Sequence, residues 1–336
     1  MNQLFRWKQT GLFLLALAAG ILPFAVPEVC AAALREGLAL CCGPLLLSLF
    51  PFLVVSRLLI QCPESDLLAL PFRLAAWGIG IRTPCAARVL CIGFLGGFAP
   101  AASAAAQAVR TGQLTAEEAD ALLPACICSG PSFVVLTVGQ SLLGSAELGV
   151  LLFASQITAN YLTAALLNRF AGARSVKPGS AAPASPAPPR LDEILADAAI
   201  TYCKLCGFIL FFRMLAAGAG ALLPAGAGTL CSVLLEVCSG CDLASRTGRW
   251  GSLLCCAALS VQGLSVLLQV RTICPPEMTL RPLYRARMLH LPLSLALFYL
   301  LLPGGEADVF STLPARVLLM RRVPPDCALL VFAVCC

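Results

Sequence analysis

The stretch from Gly93 to Val138 constrains this chain more than any other. It holds an Ala/Gly-rich apolar segment, GFLGGFAPAASAAAQAV, a short charged turn, and a second apolar segment broken by CSGPS at 128–132. Both segments are about long enough to be buried in a membrane, yet they carry Gly, Pro, Ser and Gln where a lipid-facing helix carries Leu. In hydrocarbon, such residues are tolerated where helices pack closely or where opened backbone lines a cavity. The stretch therefore predicts two interrupted helices that form half of a solute site.

Composition places the whole chain in a membrane. Of 336 residues, 59% are hydrophobic and only 12% are charged, and the mean hydropathy is +0.89. A soluble domain has about 25% charged residues, so the fold class predicted is an all-α polytopic membrane protein. The net charge of +6 does not indicate nucleic-acid binding, because the basic residues are scattered among loops and span ends.

Nineteen cysteines raise the question of metal binding or redox chemistry. Nearly all lie inside apolar runs, and the only histidine is His290, so no four-ligand metal cluster is predicted and no cofactor is expected. Small apolar packing residues are the favoured interpretation. The alternative is a membrane thiol oxidoreductase, with CxxC spacing at Cys203/Cys206 and Cys238/Cys241 as its redox pairs.

The chain divides into five parts. They are an N-terminal membrane helix (1–36), a first membrane unit (37–167), a Pro/Ala-rich linker (168–193), a second membrane unit (194–302) and a C-terminal segment without an assigned role (303–336). The N-terminal apolar run follows Arg6 and Lys8 and is long for a cleaved signal, so an uncleaved helix is favoured over a signal peptide. In either case the N-terminus is expected in the cytoplasm.

Two spans and a short interfacial helix frame the interrupted helices. A span from Leu38 to Ile60 should be kinked by its prolines, and residues 67–81 should form a short interfacial helix. The sequence predicts an uninterrupted span over residues 148–167. Basic residues flank the linker and place it in the cytoplasm by the positive-inside rule. They are Arg169, Arg174, Lys177 and Arg190.

The second unit repeats the order of the first. In each unit a small-residue segment ends in Arg-Thr-Gly, at 110–112 and at 246–248, and an interrupted apolar segment follows. The downstream pieces SFVVLTV (132–138) and SVLLQV (265–270) also correspond. Two repeated helical units with broken helices in matching positions predict a binding site at their interface near the bilayer midplane.

Several motifs together carry a family resemblance. They are the run from GFLGG to SGPSFV (93–134), LLEVCSG (234–240), GLSVLLQ (263–269) and LYRARMLH (283–290). The chain resembles, over about residues 37–300, the YlbJ-like sporulation integral membrane proteins, which are similar to the wider group with nucleoside-transporter Gate, or nucleoside recognition, domains. The resemblance implies a multi-pass inner-membrane protein of endospore formers with transporter-like architecture. It also implies movement of a solute such as dipicolinate or a nucleoside-like compound during sporulation.

The chain departs from that family at three polar positions. It has Gly97-Phe98-Ala99-Pro100 where the family tends to have a Gly-Tyr-Pro turn, and it lacks the asparagines that tend to precede Ser-Pro. Leu267 stands where a histidine is typical. These losses support a second hypothesis, a non-transporting membrane scaffold needed for spore development.

The candidate solute site is built from polar side chains and glycines near the breaks. No catalytic motif appears, so an enzyme is not predicted. The expected partners are the lipid bilayer and a small polar or anionic solute, with a homo-oligomer left open. The candidate residues are Gly97, Ser103, Gln107, Ser129, Gly130, Ser132, Asn160, Glu236, Ser239, Gly263, Ser265 and Gln269.

We predict a partner or a position for each of four polar residues that lie in or beside apolar runs. Glu236 lies in the middle of TLCSVLLEVCSG, where an ionised carboxylate needs a partner or water, and Arg213 or Lys204 is the predicted partner. Arg57 and Arg213 lie near span ends and are expected to extend to the interface. His290 is likewise expected at the membrane interface.

Overall fold

The computed structural model describes residues 2–62, 64–170 and 190–302, and within these ranges all regular secondary structure is helical. Before the linker, the helices are α1 (Asn2–Ala25), α2 (Pro27–Cys42), α3 (Pro44–Gln61), α4 (Ser65–Leu68), α5 (Leu70–Gly78), α6 (Pro84–Gly96), α7 (Phe98–Arg110), α8 (Ala116–Cys126), a π-helix (Ser132–Leu142) and α9 (Ala146–Phe170). After it come α10 (Leu191–Leu222), α11 (Ala225–Leu235), α12 (Val237–Ser245), a short 3₁₀ turn (Gly248–Trp250), α13 (Gly251–Val261), α14 (Gly263–Ile273) and α15 (Arg281–Leu301). The predicted C-terminal segment (303–336) and most of the linker lie outside the described residues.

Within the described ranges, four helical stretches are long and apolar enough to cross a membrane. They are Pro27–Leu47, Ala146–Phe170, Leu191–Leu222 and Gly248–Ile273. Shorter apolar helices, including Pro84–Gly96 and Ser132–Leu142, lie between them. The predicted all-α polytopic membrane fold is confirmed.

The N-terminal helices divide at other points than predicted. The expected span from Leu38 to Ile60 is broken at Gly43 into α2 and α3, and α2 already begins at Pro27. The boundary at residue 36 therefore falls inside α2. Pro27 and Pro44 each lie at the start of a helix, where the missing N–H costs nothing because it would have no helical partner. Residues 67–81 contain only short helices, as expected.

Interrupted helices account for most of the interior. α6 and α7 are joined at Gly97, and α8 is separated from the π-helix by Ile127–Pro131. In the second unit, α11 and α12 are joined at Glu236, and α13 and α14 at Gln262. The break predicted at 128–132 is present, whereas the one predicted at 262–265 is confined to Gln262, because residues 263–265 already belong to α14.

Small residues allow these broken helices to pack closely. Nine of the 13 residues of α7 are buried, most of them alanines. Ala101 and Ala105 are fully covered by neighbouring helices, as their small side chains predict. α7 packs against α3 and α6 from its own unit and against α14 from the second unit. This packing places the two units in contact along α7.

Candidate functional site

Within each unit, the two breaks meet at a glycine. Gly97 has a φ of +81°, and a methyl group on it would lie 2.6 Å from the backbone nitrogen of Gly130. Gly263 has a φ of +68°, and a methyl group there would lie 3.0 Å from the backbone nitrogen of Glu236. Only glycine combines this backbone conformation with so close an approach of another chain segment. The two units thus share both the order of their breaks and the way the breaks touch.

Glu236 caps a half-helix and does not pair with a basic residue. Its carboxylate accepts hydrogen bonds from the backbone N–H of Cys238 at 2.9 Å and of Ser239 at 2.7 Å, and from the Ser239 hydroxyl at 2.9 Å. The predicted partnership with Arg213 is wrong, because Arg213 forms a salt bridge of 2.8 Å with Glu36. Glu236 is only 2% exposed, and the free N–H groups at the start of α12 stabilise its negative charge.

The breaks of the two units also contact one another. The Gln262 side chain, whose backbone is left-handed (φ 61°), donates from Nε2 to the carbonyl oxygen of Ile127 at 3.3 Å. Asn160 Nδ2 donates to the same carbonyl at 3.3 Å. Arg287 Nη2 donates to it as well, at 3.1 Å. The end of α8 therefore lies against the end of α13, as the predicted interface between the units requires.

A buried polar network extends from this contact. Gln156 of α9 donates from Nε2 to the Ser260 hydroxyl at 2.9 Å, and that hydroxyl lies 2.5 Å from the hydroxyl of Ser294. His290 Nε2 is 3.2 Å from the Gln156 carbonyl oxygen. The expectation that His290 lies at the membrane interface is wrong, because its side chain is fully buried in this network.

A polar cleft of about 140 Å³ lies between the two units. Its walls come from α3 and α7 of the first unit and from α10 and α14 of the second. The residues on which its chemistry depends are Arg57, Ser103, Arg110, Asp197, Lys204 and Gln269. Three basic residues against one acidic residue give this lining a net charge of +2.

Two neutral polar groups in the cleft wall are buried and unpaired. Within the described part of the chain, neither Ser103 Oγ nor Gln269 Oε1 has a hydrogen-bond partner. Gln269 is held in place by its Nε2, which donates to the Ser265 hydroxyl at 2.9 Å. A buried polar atom without a partner costs folding free energy.

The predicted site residues fall into separate groups in the structure. Ser103 and Gln269 line the cleft, and Ser265 supports Gln269. The other nine do not line it. Gly97 and Gly130 form the first glycine contact, Gly263, Glu236 and Ser239 form the second, and Asn160 is part of the contact between the units. Ser129 is buried within the interruption between α8 and the π-helix, Ser132 begins the π-helix, and Gln107 is half-buried on α7.

Charged residues of the cleft were missed by the sequence interpretation. Arg57 was expected to extend to the interface, but its side chain is 9% exposed and pairs with Asp197 of α10 at 2.7 Å. The sequence did not identify this partner, because it lies on another helix far along the chain. Arg287 was not singled out at all, although an arginine between apolar residues was the available signal.

Among the described residues, the cysteines form neither a metal-binding group nor a disulfide bond. Within residues 2–62, 64–170 and 190–302, no group of three or more His, Cys, Asp or Glu could hold a metal ion, and the cysteines there are free thiols. Cys238 lies at the start of α12, but the Glu236 carboxylate already occupies that helix end. The geometry therefore does not favour a reactive thiolate at this CxxC pair.

Comparison of the chain with protein-family models, with curated proteins and with solved structures finds no match.

Proposed function

We propose that this protein is a multi-pass membrane transporter, and that it binds a small anionic solute in the cleft between its two units. The observation that carries the proposal is the position of that cleft. Its walls combine α3 and α7 with α10 and α14, so relative movement of the units would change access to it. Sites between structural repeats are the usual place for substrate in secondary transporters.

The charge of the cleft selects the solute. Asp197 neutralises Arg57 through their salt bridge, whereas Arg110 and Lys204 form no salt bridge with any described residue. Both residues are exposed, and two cations at one cleft that form no salt bridge within the described chain attract an anion. An arginine and a lysine together suit a carboxylate or phosphate group.

The neutral groups of the wall add specificity. The Ser103 hydroxyl can donate a hydrogen bond to the solute, and Gln269 Oε1 can accept one from it. A volume of about 140 Å³ is below that of pockets for drug-sized ligands, so the cleft suits a small metabolite with one or two anionic groups.

The orientation follows from charge at the linker. Asp197 and Lys204 lie in the first half of α10, which begins directly after Arg190 at the end of the linker. We place the linker and the N-terminus in the cytoplasm of a cell with an inner membrane, so the cleft lies toward the cytoplasmic side. The resemblance to YlbJ-like proteins adds endospore formation as the biological setting and dipicolinate as a first cargo to test.

Ligand-dependent melting of the purified protein tests the proposal. A solute bound by the folded state raises the melting temperature, so dipicolinate, phosphate and chloride are compared with a neutral nucleoside at equal ionic strength. We expect a rise with a multivalent anion, and a reduced rise in Lys204→Gln and Arg110→Gln. Each charge removed should weaken binding by about 1 kcal/mol, or fivefold.

A control variant separates site effects from net charge. Arg285→Gln removes an exposed arginine outside the cleft and should leave the anion response unchanged. Uptake of the best anion into proteoliposomes then tests transport itself. Anion binding without uptake would support the scaffold hypothesis, and equal responses in Lys204→Gln and Arg285→Gln would contradict the assigned cleft.

A further inference from the structure

Arg287 is a buried cation at the point where the broken helices of the two units meet. It lies on α15 and is 8% exposed. Nη2 donates to the Ile127 carbonyl at 3.1 Å and to Asn160 Oδ1 at 3.0 Å, and Nη1 donates to the Ser260 carbonyl at 3.5 Å. We call this set of bonds the Arg287 contact. All three acceptors are neutral, and no described carboxylate forms a salt bridge with Arg287.

The partial charges of two helix ends replace the missing carboxylate. Ile127 directly follows α8, and Ser260 lies in the last turn of α13. The last carbonyl groups of a helix have no partner within the helix and carry the negative end of its dipole. One guanidinium group thus binds the carboxyl-terminal end of a broken helix from each unit, and Gln262 reinforces the contact from the second unit.

We propose that Arg287 is a positioning residue that holds the two units closed at their breaks, and that release of the Arg287 contact opens the interior there. A carboxylate partner would make the contact a buried ion pair, which is costly to separate. Neutral oxygens hold the charge less strongly, and Arg287 Nε has no partner in the described chain. The contact is therefore strong enough to close the breaks and weak enough to be released.

A substitution at Asn160 tests the role of the Arg287 charge directly. Asn160→Asp puts a carboxylate at the position now 3.0 Å from Arg287 Nη2. Asn160→Asp supplies the missing opposite charge, but it also removes the Nδ2 donor to the Ile127 carbonyl. That lost bond is the same in any background, so the change in melting temperature is compared with and without Arg287. We expect Asn160→Asp to be clearly more destabilising in an Arg287→Gln background, because the carboxylate is then buried without a cation.

A native thiol reports opening at the breaks. Cys128 directly follows Ile127 and is 1% exposed, so a small maleimide reaches it only when this region opens. Peptide mass spectrometry resolves its alkylation rate from that of Cys85, which is buried at the start of α6 and reports global unfolding. In Arg287→Gln we expect Cys128 to react at least tenfold faster while Cys85 stays protected. Arg287→Lys keeps the charge without the planar fork and should give an intermediate rate.

The outcomes separate a positioning role from a purely structural one. Arg285→Gln on the same helix should change neither thiol. Equal Cys128 protection in Arg287→Gln and the unchanged protein would overturn the proposal. If Arg287→Gln exposes both thiols alike, the effect of Asn160→Asp in the two backgrounds decides, and an equal change in melting temperature with and without Arg287 overturns the proposal.

Discussion

Arg57 of α3 and Asp197 of α10 form a salt bridge of 2.7 Å that joins the two units at the wall of the cleft. The arginine side chain is 9% exposed and the carboxylate is 58% exposed, so the acidic group lies toward solvent. The pair therefore has two effects. It links the units, and it removes one positive charge from a cleft that would otherwise carry three.

Asp197→Asn should strengthen anion binding while it weakens the fold. The change leaves Arg57 without its counter-charge, which raises the charge of the cleft by one. Because Asp197 is largely exposed, the loss of stability should be modest, about 1 kcal/mol. Arg57→Gln should instead weaken anion binding. Titration of the same anion into both variants checks the opposite signs, and weaker binding in Asp197→Asn would contradict the assigned role.

Alanine at the glycine contacts should destabilise the protein. Gly97→Ala places a methyl group 2.6 Å from the Gly130 nitrogen at a positive φ, and Gly263→Ala does so at 3.0 Å from the Glu236 nitrogen. We expect a loss of about 2 kcal/mol for Gly97→Ala and less for Gly263→Ala. The control is Gly207→Ala in α10, where the added methyl group meets open space. Equal melting temperatures for Gly97→Ala and Gly207→Ala in detergent would show that the breaks do not touch.

The class of fold and the positions of the breaks could be predicted because their signals are local. Hydropathy identifies membrane helices, and Gly, Pro and Ser within apolar segments indicate where those helices are interrupted. Local rules also decide helix starts, which is why Pro44 begins α3 and does not kink a longer helix. Glu236 fits such a rule too, since its carboxylate precedes a half-helix. It was interpreted as a mid-span charge because the segment was treated as continuous.

The partners of buried charges could not be predicted, because packing over long sequence separations chooses them. Arg57 meets a carboxylate 140 residues away, and Arg287 meets a carbonyl 160 residues away. An apolar run shows that such a residue needs a partner and does not show which one. The π-helix could not be predicted either, because it depends on close packing against another helix. Its Gly139 packs so closely on Gly149 of α9 that a methyl group would lie 2.4 Å from the Gly149 Cα.

Removal of the Glu236 cap should cost more than removal of its predicted ion-pair partner. Glu236→Ala takes three hydrogen bonds from the start of α12, and caps of this kind contribute about 1–2 kcal/mol. Glu236→Gln keeps an accepting oxygen and should retain part of that stability. Arg213→Gln removes the salt bridge with Glu36 but no hydrogen bond of Glu236, so it should cost less. Denaturation in detergent compares the three variants. Equal losses in Glu236→Ala and Arg213→Gln would restore the ion-pair interpretation.

The central linker should be cytoplasmic. The basic residues around it set the orientation, and the N-terminus should lie on the same side. A cysteine introduced at Ser180 should react with a membrane-impermeant maleimide only after cells are opened, once background labelling of the native thiols has been subtracted. Labelling of intact cells at Ser180→Cys would reverse the topology and would place the cleft toward the outside.

Ser103→Ala should separate solute binding from stability. The Ser103 hydroxyl is buried in the cleft wall and has no protein partner among the described residues, so its removal should leave the melting temperature unchanged or slightly raised. Loss of one hydrogen bond to the solute should weaken binding by about 1 kcal/mol, or fivefold. Ser260→Ala is the matched control, because that hydroxyl bonds Gln156 and Ser294 outside the cleft. It should lower stability and leave the affinity of the folded protein unchanged. If Ser103→Ala binds the anion as tightly as the unchanged protein, the solute does not reach this wall.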